Sequence, residues 1–452
     1  MKASSRGTGK PWLFNAQDDL ANAAKGVTVD DLRIAELLGK TPPDPVMDLI
    51  ELVAAVHLVD RAERRPAGSK PGDSWSRRLH VVVGVRETHL WSEPGIHSLL
   101  VGLLRWLTDD EWMIEFVPRV APNRHAERVQ FLFASPMDGD VVALFSGGLD
   151  SLAGLAADID AGVNPIALSI ESNTKIAKSQ RDVLEHLNNA LNTSISRVPI
   201  GLHLRSVPGT EQSQRARGFG FLALAGALAV LTGRDLIHVY ENGIGAINLP
   251  YTSAQTGAHG TRAMHPATLN MATVLLSAAL DSTLQIVNRS QYKTKAEMCA
   301  ALPSSLYSAV AATETCDTAF TYRGSGALSC GRCTSCLLRR QALAASKLTT
   351  LDPASNYRLD AFSESEAPYQ LRAMLSQASR IHRAIGARTS CTWAALIGEF
   401  PDLVGIAHSL NVGPGEKAEV GLIDLLQRYV KEWAEVPSPL VASYLGHDYV
   451  AA

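Results

Sequence analysis

The stretch Val141–Ser151, VVALFSGGLDS, decides how the chain is read. Val141 to Phe145 make an apolar run of strand length, and Ser146-Gly147-Gly148 makes a sharp turn. Leu149, Leu152, Leu155 and Ile159 then recur at helical spacing. A strand, a glycine turn and a helix start offer unpaired backbone N–H groups and the positive end of a helix dipole, which suit an anion. Adjacent glycines let the main chain close around a phosphate where a Cβ would clash. Leu144, Phe145, Ser146, Gly147, Gly148, Leu149, Asp150 and Ser151 are therefore the expected phosphate-binding residues. Ser146 and Ser151 add hydroxyls, and Asp150, expected at the edge of the site, can hold Mg²⁺. The spacing excludes a Walker A loop, which needs a lysine, and the dinucleotide fingerprint, which needs a third glycine.

From Val141 onward, strand and helix patterns alternate. Candidate strands are 141–145, 165–170, 196–200, 236–240 and 284–288, with an Ala/Leu-rich helix at Phe219–Leu231. This alternation predicts an α/β core, a doubly wound parallel sheet with helices on both faces. Ligands of such sheets bind beyond the carboxyl ends of the strands. The residues there are Arg215 and Arg217, then Glu241-Asn242-Gly243-Ile244-Gly245 with a polar loop to Arg262 and His265, then Arg289 and Lys293–Glu297. Each has an ordinary surface or turn role as its alternative. Position raises Lys295 and Arg217 to candidate ligand contacts, with His265 ranked below them. Asp150, Ser151, Lys295 and Arg217 form the candidate catalytic set.

With 452 residues, two or three domains are expected. Residues 1–136 read as an α+β domain: a short helix near Val29–Leu38, a helix at Pro45–Arg64, a strand at Leu79–Val85, a helix at Gly95–Leu107, and strands at Glu111–Pro118 and Arg128–Ala134. Nothing in it looks catalytic, and Trp75, Trp91, Trp106 and Trp112 read as core and interface aromatics. Residues 137–345 are the parallel-sheet core. Residues 346–452 read as all-helical, with apolar spacing at Tyr369–Ile385, Trp393–Ile397, Leu403–Leu410, Val420–Tyr429 and Pro439–Leu445. Such a unit docks a partner, covers a site or caps the fold.

A hydrophobic share of 46% against 19% charged residues marks a core-forming protein, and the net charge of −3 provides no global field for nucleic acid. No apolar stretch approaches a membrane span, and the amino terminus lacks a signal-peptide core, so a cytoplasmic location is expected. Six cysteines in such a chain argue for metal or chemistry rather than disulfides. Cys316, Cys330, Cys333 and Cys336 follow a C-x13-C-x2-C-x2-C pattern. Thiolates two residues apart reach one ion from a tight turn, and four sulfurs suit tetrahedral Zn²⁺, with an iron–sulfur cluster as the rival. Cys299 and Cys391 fall outside the spacing and are expected as small buried hydrophobes.

The SGGLDS turn resembles the pyrophosphate loop (PP-loop) of the N-type ATP pyrophosphatases, enzymes of HUP-like fold that split ATP between its α and β phosphates. Together with Cys330-Gly331-Arg332-Cys333-Thr334-Ser335-Cys336-Leu337-Leu338-Arg339 it resembles the 7-cyano-7-deazaguanine synthase (QueC) family. Lys293-Thr294-Lys295-Ala296-Glu297-Met298 is similar to that family's Thr-Lys-Ala-Glu-Ile helix start, and Arg215-Ala216-Arg217 to its Ala-Arg-Asn. The resemblance covers about 138–345. The family's substrate stretch is absent, and YENGIGAINLPYTS at Tyr240–Ser253 takes its place. The longer chain is similar to the QueC-like (QatC-like) proteins of bacterial antiphage operons.

The resemblance implies an ATP-dependent, C–N bond-forming ligase with ATP, Mg²⁺ and Zn²⁺ as cofactors. The carboxylate of 7-carboxy-7-deazaguanine would be adenylated and then coupled to an amine. Ammonia and an amine of a partner protein from the same operon both remain open as acceptors. A homodimer is allowed, no membrane is involved, and nucleic acid is not expected as a partner. Two rivals stand: a PP-loop enzyme acting on tRNA, and a nucleotide-binding regulator without turnover.

Overall fold

Val141–Leu144 lies inside a sheet, with Val142 packed on one face and Ala143 on the other, because successive strand residues point to opposite sides. The computed structural model describes residues 11–14, 27–29, 41–65, 75–120, 123–128, 137–204, 211, 213–252, 261–317, 328–386, 391–410, 413 and 415–445. Their strands are β1 (Trp12–Phe14), β2 (Val27–Val29), β3 (Arg78–Val85), β4 (Glu111–Pro118), β5 (Val141–Leu144), β6 (Pro165–Glu171), β7 (Arg197–Leu204), β8 (Leu236–Val239) and β9 (Gln285–Asn288). The helices of the first half are α1 (Asp44–Ala62), α2 (Thr88–Trp91), α3 (Pro94–Thr108), α4 (His125–Arg128), α5 (Leu149–Asp160), α6 (Thr174–Leu191) and α7 (Arg217–Thr232). They continue as α8 (Gly243–Ile247), α9 (Pro266–Ala279), α10 (Lys295–Ala300), α11 (Tyr307–Ala312) and α12 (Thr334–Ala345). The last five are α13 (Tyr369–Gly386), α14 (Thr392–Glu399), α15 (Asp402–Ser409), α16 (Ala418–Trp433) and α17 (Pro439–Leu445).

The main sheet has the order β2-β7-β6-β5-β8-β9. All its pairings are parallel except β2 on β7, which is antiparallel. From β5 the chain winds outward through β6 and β7, then crosses back to β8 and β9. The strand order therefore reverses between β5 and β8, and in open parallel sheets ligands bind at such a switch point. Helices α1, α3, α7 and α9 cover one face, and α5, α6 and α10 to α12 cover the other. The protein is thus α/β with a parallel sheet wound on both faces.

The amino-terminal part differs from its α+β expectation. Strands β1, β3 and β4 form a second, three-stranded sheet in the order β1-β3-β4, and both pairings are parallel. Parallel neighbours need a crossover, which α2 and α3 provide between β3 and β4, so this part too is α/β. Its helices α1 and α3 share one continuous core with α7 and α9 of the main sheet. Val29, expected to open a helix, instead belongs to β2 at the edge of the main sheet. The rest of that expected helix lies outside the described residues. Arg128 ends α4, and the strand expected through Ala134 otherwise lies outside the described residues.

Residues after 357 form a helical region with its own core, including Leu371, Leu425 and Trp433. Leu337 and Leu338 of α12 and Ile244 and Ile247 of α8 belong to that same core. The carboxyl-terminal helices are therefore packed behind the loops that follow β8 and β9. Among the described residues no helix is long and apolar enough to cross a membrane.

Candidate functional site

The turn after β5 is built around one backbone requirement. Gly147 has φ +76°, and a Cβ there would come within 3.0 Å of the backbone nitrogen of Gln180. Its carbonyl oxygen accepts from Ser179 Oγ (3.0 Å) and from the Glu314 N–H (3.1 Å). Ser146 Oγ accepts from the Gly148 N–H (3.2 Å) and lies 3.3 Å from Ser151 Oγ, which donates to the Gly148 carbonyl oxygen (2.9 Å). Gly148 is the N-cap of α5 and supplies no side-chain cap. The first turn of α5 thus keeps its main-chain donors for another acceptor.

Asp150 sits in the first turn of α5 and is only 9% exposed, not at the rim as its sequence position suggested. One carboxylate oxygen, Oδ1, takes the Lys295 ammonium in a buried ion pair. The other accepts from Asn242 Nδ2 at 2.8 Å and from the Asn242 N–H at 3.3 Å. Asn242 Nδ2 also donates to Glu241 Oε1 (3.0 Å), which brings a second carboxyl into the cluster. Burial and then the Asp150 charge raise the Glu241 pKa to about 8. Burial lowers the Lys295 pKa, but Asp150 and Glu241 outweigh it and hold the ammonium above its ordinary value. Lys295 starts α10, whose Thr294 and Glu297 form a reciprocal capping box. Asn242 is the N-cap of α8, and its Oδ1 accepts from the Gly245 N–H (3.0 Å). The segments that follow three strands of the sheet, β5, β8 and β9, therefore converge on Asp150.

These groups line a cavity of about 590 Å³, within the size range of ligand sites. Leu144, Phe145, Ser146, Gly148, Leu149, Asp150, Ser151, Lys295 and Arg217, all expected from sequence, line it; Gly147 stands behind the turn and does not. Glu241 and Asn242 also reach the cavity. Arg215 and Gly245, also marked in the sequence, line it as well, whereas His265, Arg262, Arg289 and Lys293 do not. His265 is the N-cap of α9, its Nδ1 accepting from the Ala267 N–H (3.1 Å), and its ring packs on Trp106 with centroids 5.2 Å apart. Arg262 bonds the Trp106 carbonyl oxygen (2.7 Å) and Asp109 (3.0 Å). Arg289 donates to Asp158 (3.3 Å). Lys293 contributes its carbonyl oxygen, which accepts from the Gly243 N–H (2.7 Å).

The four expected cysteines converge, with their sulfur atoms all within 4.8 Å of one another. Four thiolates at Zn–S distances of about 2.3 Å in a tetrahedron stand about 3.8 Å apart. Cys330 Sγ and Cys336 Sγ are 3.9 Å apart. Main-chain N–H groups of Cys330, Cys333 and Cys336 point at the sulfurs of Cys316, Cys330 and Cys333, at 3.3, 3.3 and 3.4 Å. Such donors suit thiolate charge. Gly331, between two of the ligands, has φ +75°, and a Cβ there would overlap the Leu359 carbonyl oxygen. The cluster therefore fits a four-sulfur metal such as zinc. Of the two remaining cysteines, Cys299 is buried as expected, but Cys391, the N-cap of α14, is exposed.

Two contributors lay outside the expected site residues, the first with no sequence signal and the second as the last residue of the Cys330–Arg339 motif. Glu314, one acid in a polar loop, has an N–H on the Gly147 carbonyl oxygen and a carboxylate that accepts from the Thr315 (3.0 Å) and Cys316 (2.8 Å) N–H groups and pairs with Lys175. Arg339 is buried against Asp352 (3.2 Å), Thr313 Oγ1 (2.5 Å) and the Val310 carbonyl oxygen (2.9 Å), pinning α12 to the same loop. No protein-family model matches the chain, and no curated protein matches it.

Proposed function

We propose that the cavity is the active site of a QueC-like ATP pyrophosphatase of PP-loop type. It would activate a carboxylate by adenylation and couple it to an amine. The observation that carries this reading is the convergence of the SGGLDS turn, Asp150, Lys295 and Glu241 at the switch point of the sheet. The free donors at the start of α5 and the Ser146 and Ser151 hydroxyls would take the β and γ phosphates. Asp150 would hold Mg²⁺ through Oδ1, which keeps a lone pair beyond its bond to Lys295, and a divalent ion supplies the positive charge that two adjacent carboxyls call for.

A carboxylate is a poor electrophile. Its oxygen would attack the α phosphorus, the bond to the β phosphate would break, and pyrophosphate would leave. Lys295, kept charged by its acidic neighbours, would stabilise the growing negative charge on the phosphates. An amine would then attack the activated carbonyl carbon, release AMP and lose a proton, leaving an amide.

By the resemblance, the acid is 7-carboxy-7-deazaguanine, and the setting is antiphage defence in the cytoplasm. The acceptor we favour is an amine of a partner protein. The Gly- and Asn-containing segment at Tyr240–Ser253 that replaces the family's substrate stretch lines the cavity at Asn248, Leu249, Pro250 and Tyr251, so the acceptor side of this site differs from that of an ammonia-using synthase. The structural zinc at the four cysteines would brace the site and take no part in the chemistry. Exchange of labelled pyrophosphate into ATP, stimulated by 7-carboxy-7-deazaguanine, tests the activation step. A deazaguanine mass added to a co-expressed partner tests the acceptor, and free 7-cyano-7-deazaguanine made from ammonia alone would point to the ordinary synthase instead.

A further inference from the structure

A second wall of the cavity, Ser213 to Arg217, is held almost entirely by the amino-terminal part of the chain. The Glu211 N–H donates to the Arg61 carbonyl oxygen (3.0 Å), and the Glu211 carboxylate accepts from the Arg65 N–H (2.9 Å). Arg65 Nε donates to Ser213 Oγ (3.3 Å), and the Ala216 N–H donates to Asp60 Oδ2 (3.1 Å). Arg65 is itself fixed by a two-pronged buried pair with Asp110, at 2.7 and 2.9 Å. The Arg65 and Arg215 guanidiniums lie against one indole ring, that of Trp75, at 3.7 and 4.7 Å from its centroid. Trp75, half-buried, is thus an interface aromatic, as expected, its ring meeting both a guanidinium of the amino-terminal part and one that lines the cavity.

Two guanidiniums, those of Arg215 and Arg217, line the cavity on this wall; burial lowers the pKa of each to about 10, helped at Arg215 by Arg65 and opposed at Arg217 by Asp317, which lines the same cavity. His57 is pushed down to about 3 by burial and then by Arg61 and Arg217. Apolar groups stand beside them, with Phe221, Leu249, Tyr251 and Met264 on the same lining.

We propose that Arg215 and Arg217 form the subsite that binds the carboxylate of the second, acid substrate, with Trp75 and Asp60 of the amino-terminal part as positioning residues. This rests on the adenylation reading above. Three physical reasons favour it. An organic anion brought beside a triphosphate is repelled unless fixed cations stand between them. Planar guanidinium forks match a planar carboxylate and orient it as well as attract it. The apolar lining would take the body of an organic acid, whereas phosphates already have the start of α5.

Calorimetric titration of the whole protein tests this, with α,β-methylene-ATP and 7-carboxy-7-deazaguanine as separate probes. Arg215→Gln should weaken the acid at least tenfold and the nucleotide analogue less than twofold. Arg215→Lys, which keeps the charge but not the fork, should fall between and serves if the glutamine variant does not fold. Trp75→Leu should weaken the acid about fivefold at an unchanged Tm, and Trp75→Phe, which keeps an aromatic face, should restore it. Equal losses for both probes would assign the arginines to the nucleotide and overturn the proposal. So would unchanged binding of the acid, or no binding of it by the native protein. Native protein that binds the acid yet forms no AMP would instead defeat the adenylation reading and leave the subsite standing.

Discussion

The N–H of Glu314 donates to the carbonyl oxygen of Gly147 at 3.1 Å. Two residues on, the N–H of Cys316 donates back to the Glu314 carboxylate at 2.8 Å. One acidic residue therefore fastens the SGGLDS turn to the first cysteine of the cluster. The turn and the cysteine cluster are one mechanical unit.

Glu314→Ala should lower stability by about 1–3 kcal/mol, because it strands the Thr315 and Cys316 N–H groups and removes the partner of Lys175. It should also lower nucleotide affinity, since the loop that holds Gly147 loosens. Thermal melts and ATP-analogue titration check both effects. Loss of stability with undisturbed nucleotide binding would break the link between the two sites.

The metal prediction is about one zinc per chain. Cys333→Ser should lose it and lower the Tm sharply, because a four-thiolate site contributes folding free energy directly. Gly331→Ala should do nearly the same without touching a ligand, through its left-handed backbone and the overlap with Leu359. Elemental analysis decides the identity, and iron with a thiolate charge-transfer band would replace the zinc assignment.

The fold was legible where one pattern carried it. The five core strands lie within a residue or two at most ends of the expected ones, because buried parallel strands are short apolar runs bounded by turns. The cysteines were legible for the same reason, since ligand spacing is local. What escaped was non-local. Val27–Val29 pairs with Leu202–Leu204 across the chain, and nothing in three residues announces an added edge strand. The amino-terminal strands looked like α+β because parallel pairing depends on which strands meet. Asp150 looked like an edge residue because its cover, Lys295 and Asn242, arrives from two distant segments, those after β9 and β8.

That burial changes what its substitution should do. Asp150→Ala leaves the Lys295 ammonium without its ion-pair partner, which should cost about 3–5 kcal/mol. Asp150→Asn keeps a polar group of the same shape and should cost less. Adding Lys295→Met to Asp150→Asn should recover stability. Chemical denaturation of the three variants checks the order, and equal stability of all three would mean that the pair is not buried in solution.

The buried ring of His265 gives a pH dependence with a definite sign. Burial, and then Arg262, push its pKa down to about 4, against about 6.5 in the unfolded chain. Between those values the unfolded chain binds a proton that the native state refuses, so stability should fall as the pH drops from 6.5 to 4. The full contribution is roughly 3 kcal/mol. His265→Asn keeps an acceptor for the Ala267 N–H without the titration, and should make the Tm profile less steep across that range, the share of His57 remaining. An unchanged profile would mean that this ring is protonated freely in the native state.

The nature of the ATP products tests the central claim most directly. Phosphorus NMR of the whole protein incubated with ATP, Mg²⁺, 7-carboxy-7-deazaguanine and an amine should show AMP and pyrophosphate rising together. Neither should form without the acid, and the signal should fall at least about a hundredfold in Asp150→Asn, the size of change typical when a group acting on transition-state charge is removed. ADP and inorganic phosphate as the products, or undiminished AMP formation by Asp150→Asn, would contradict the account.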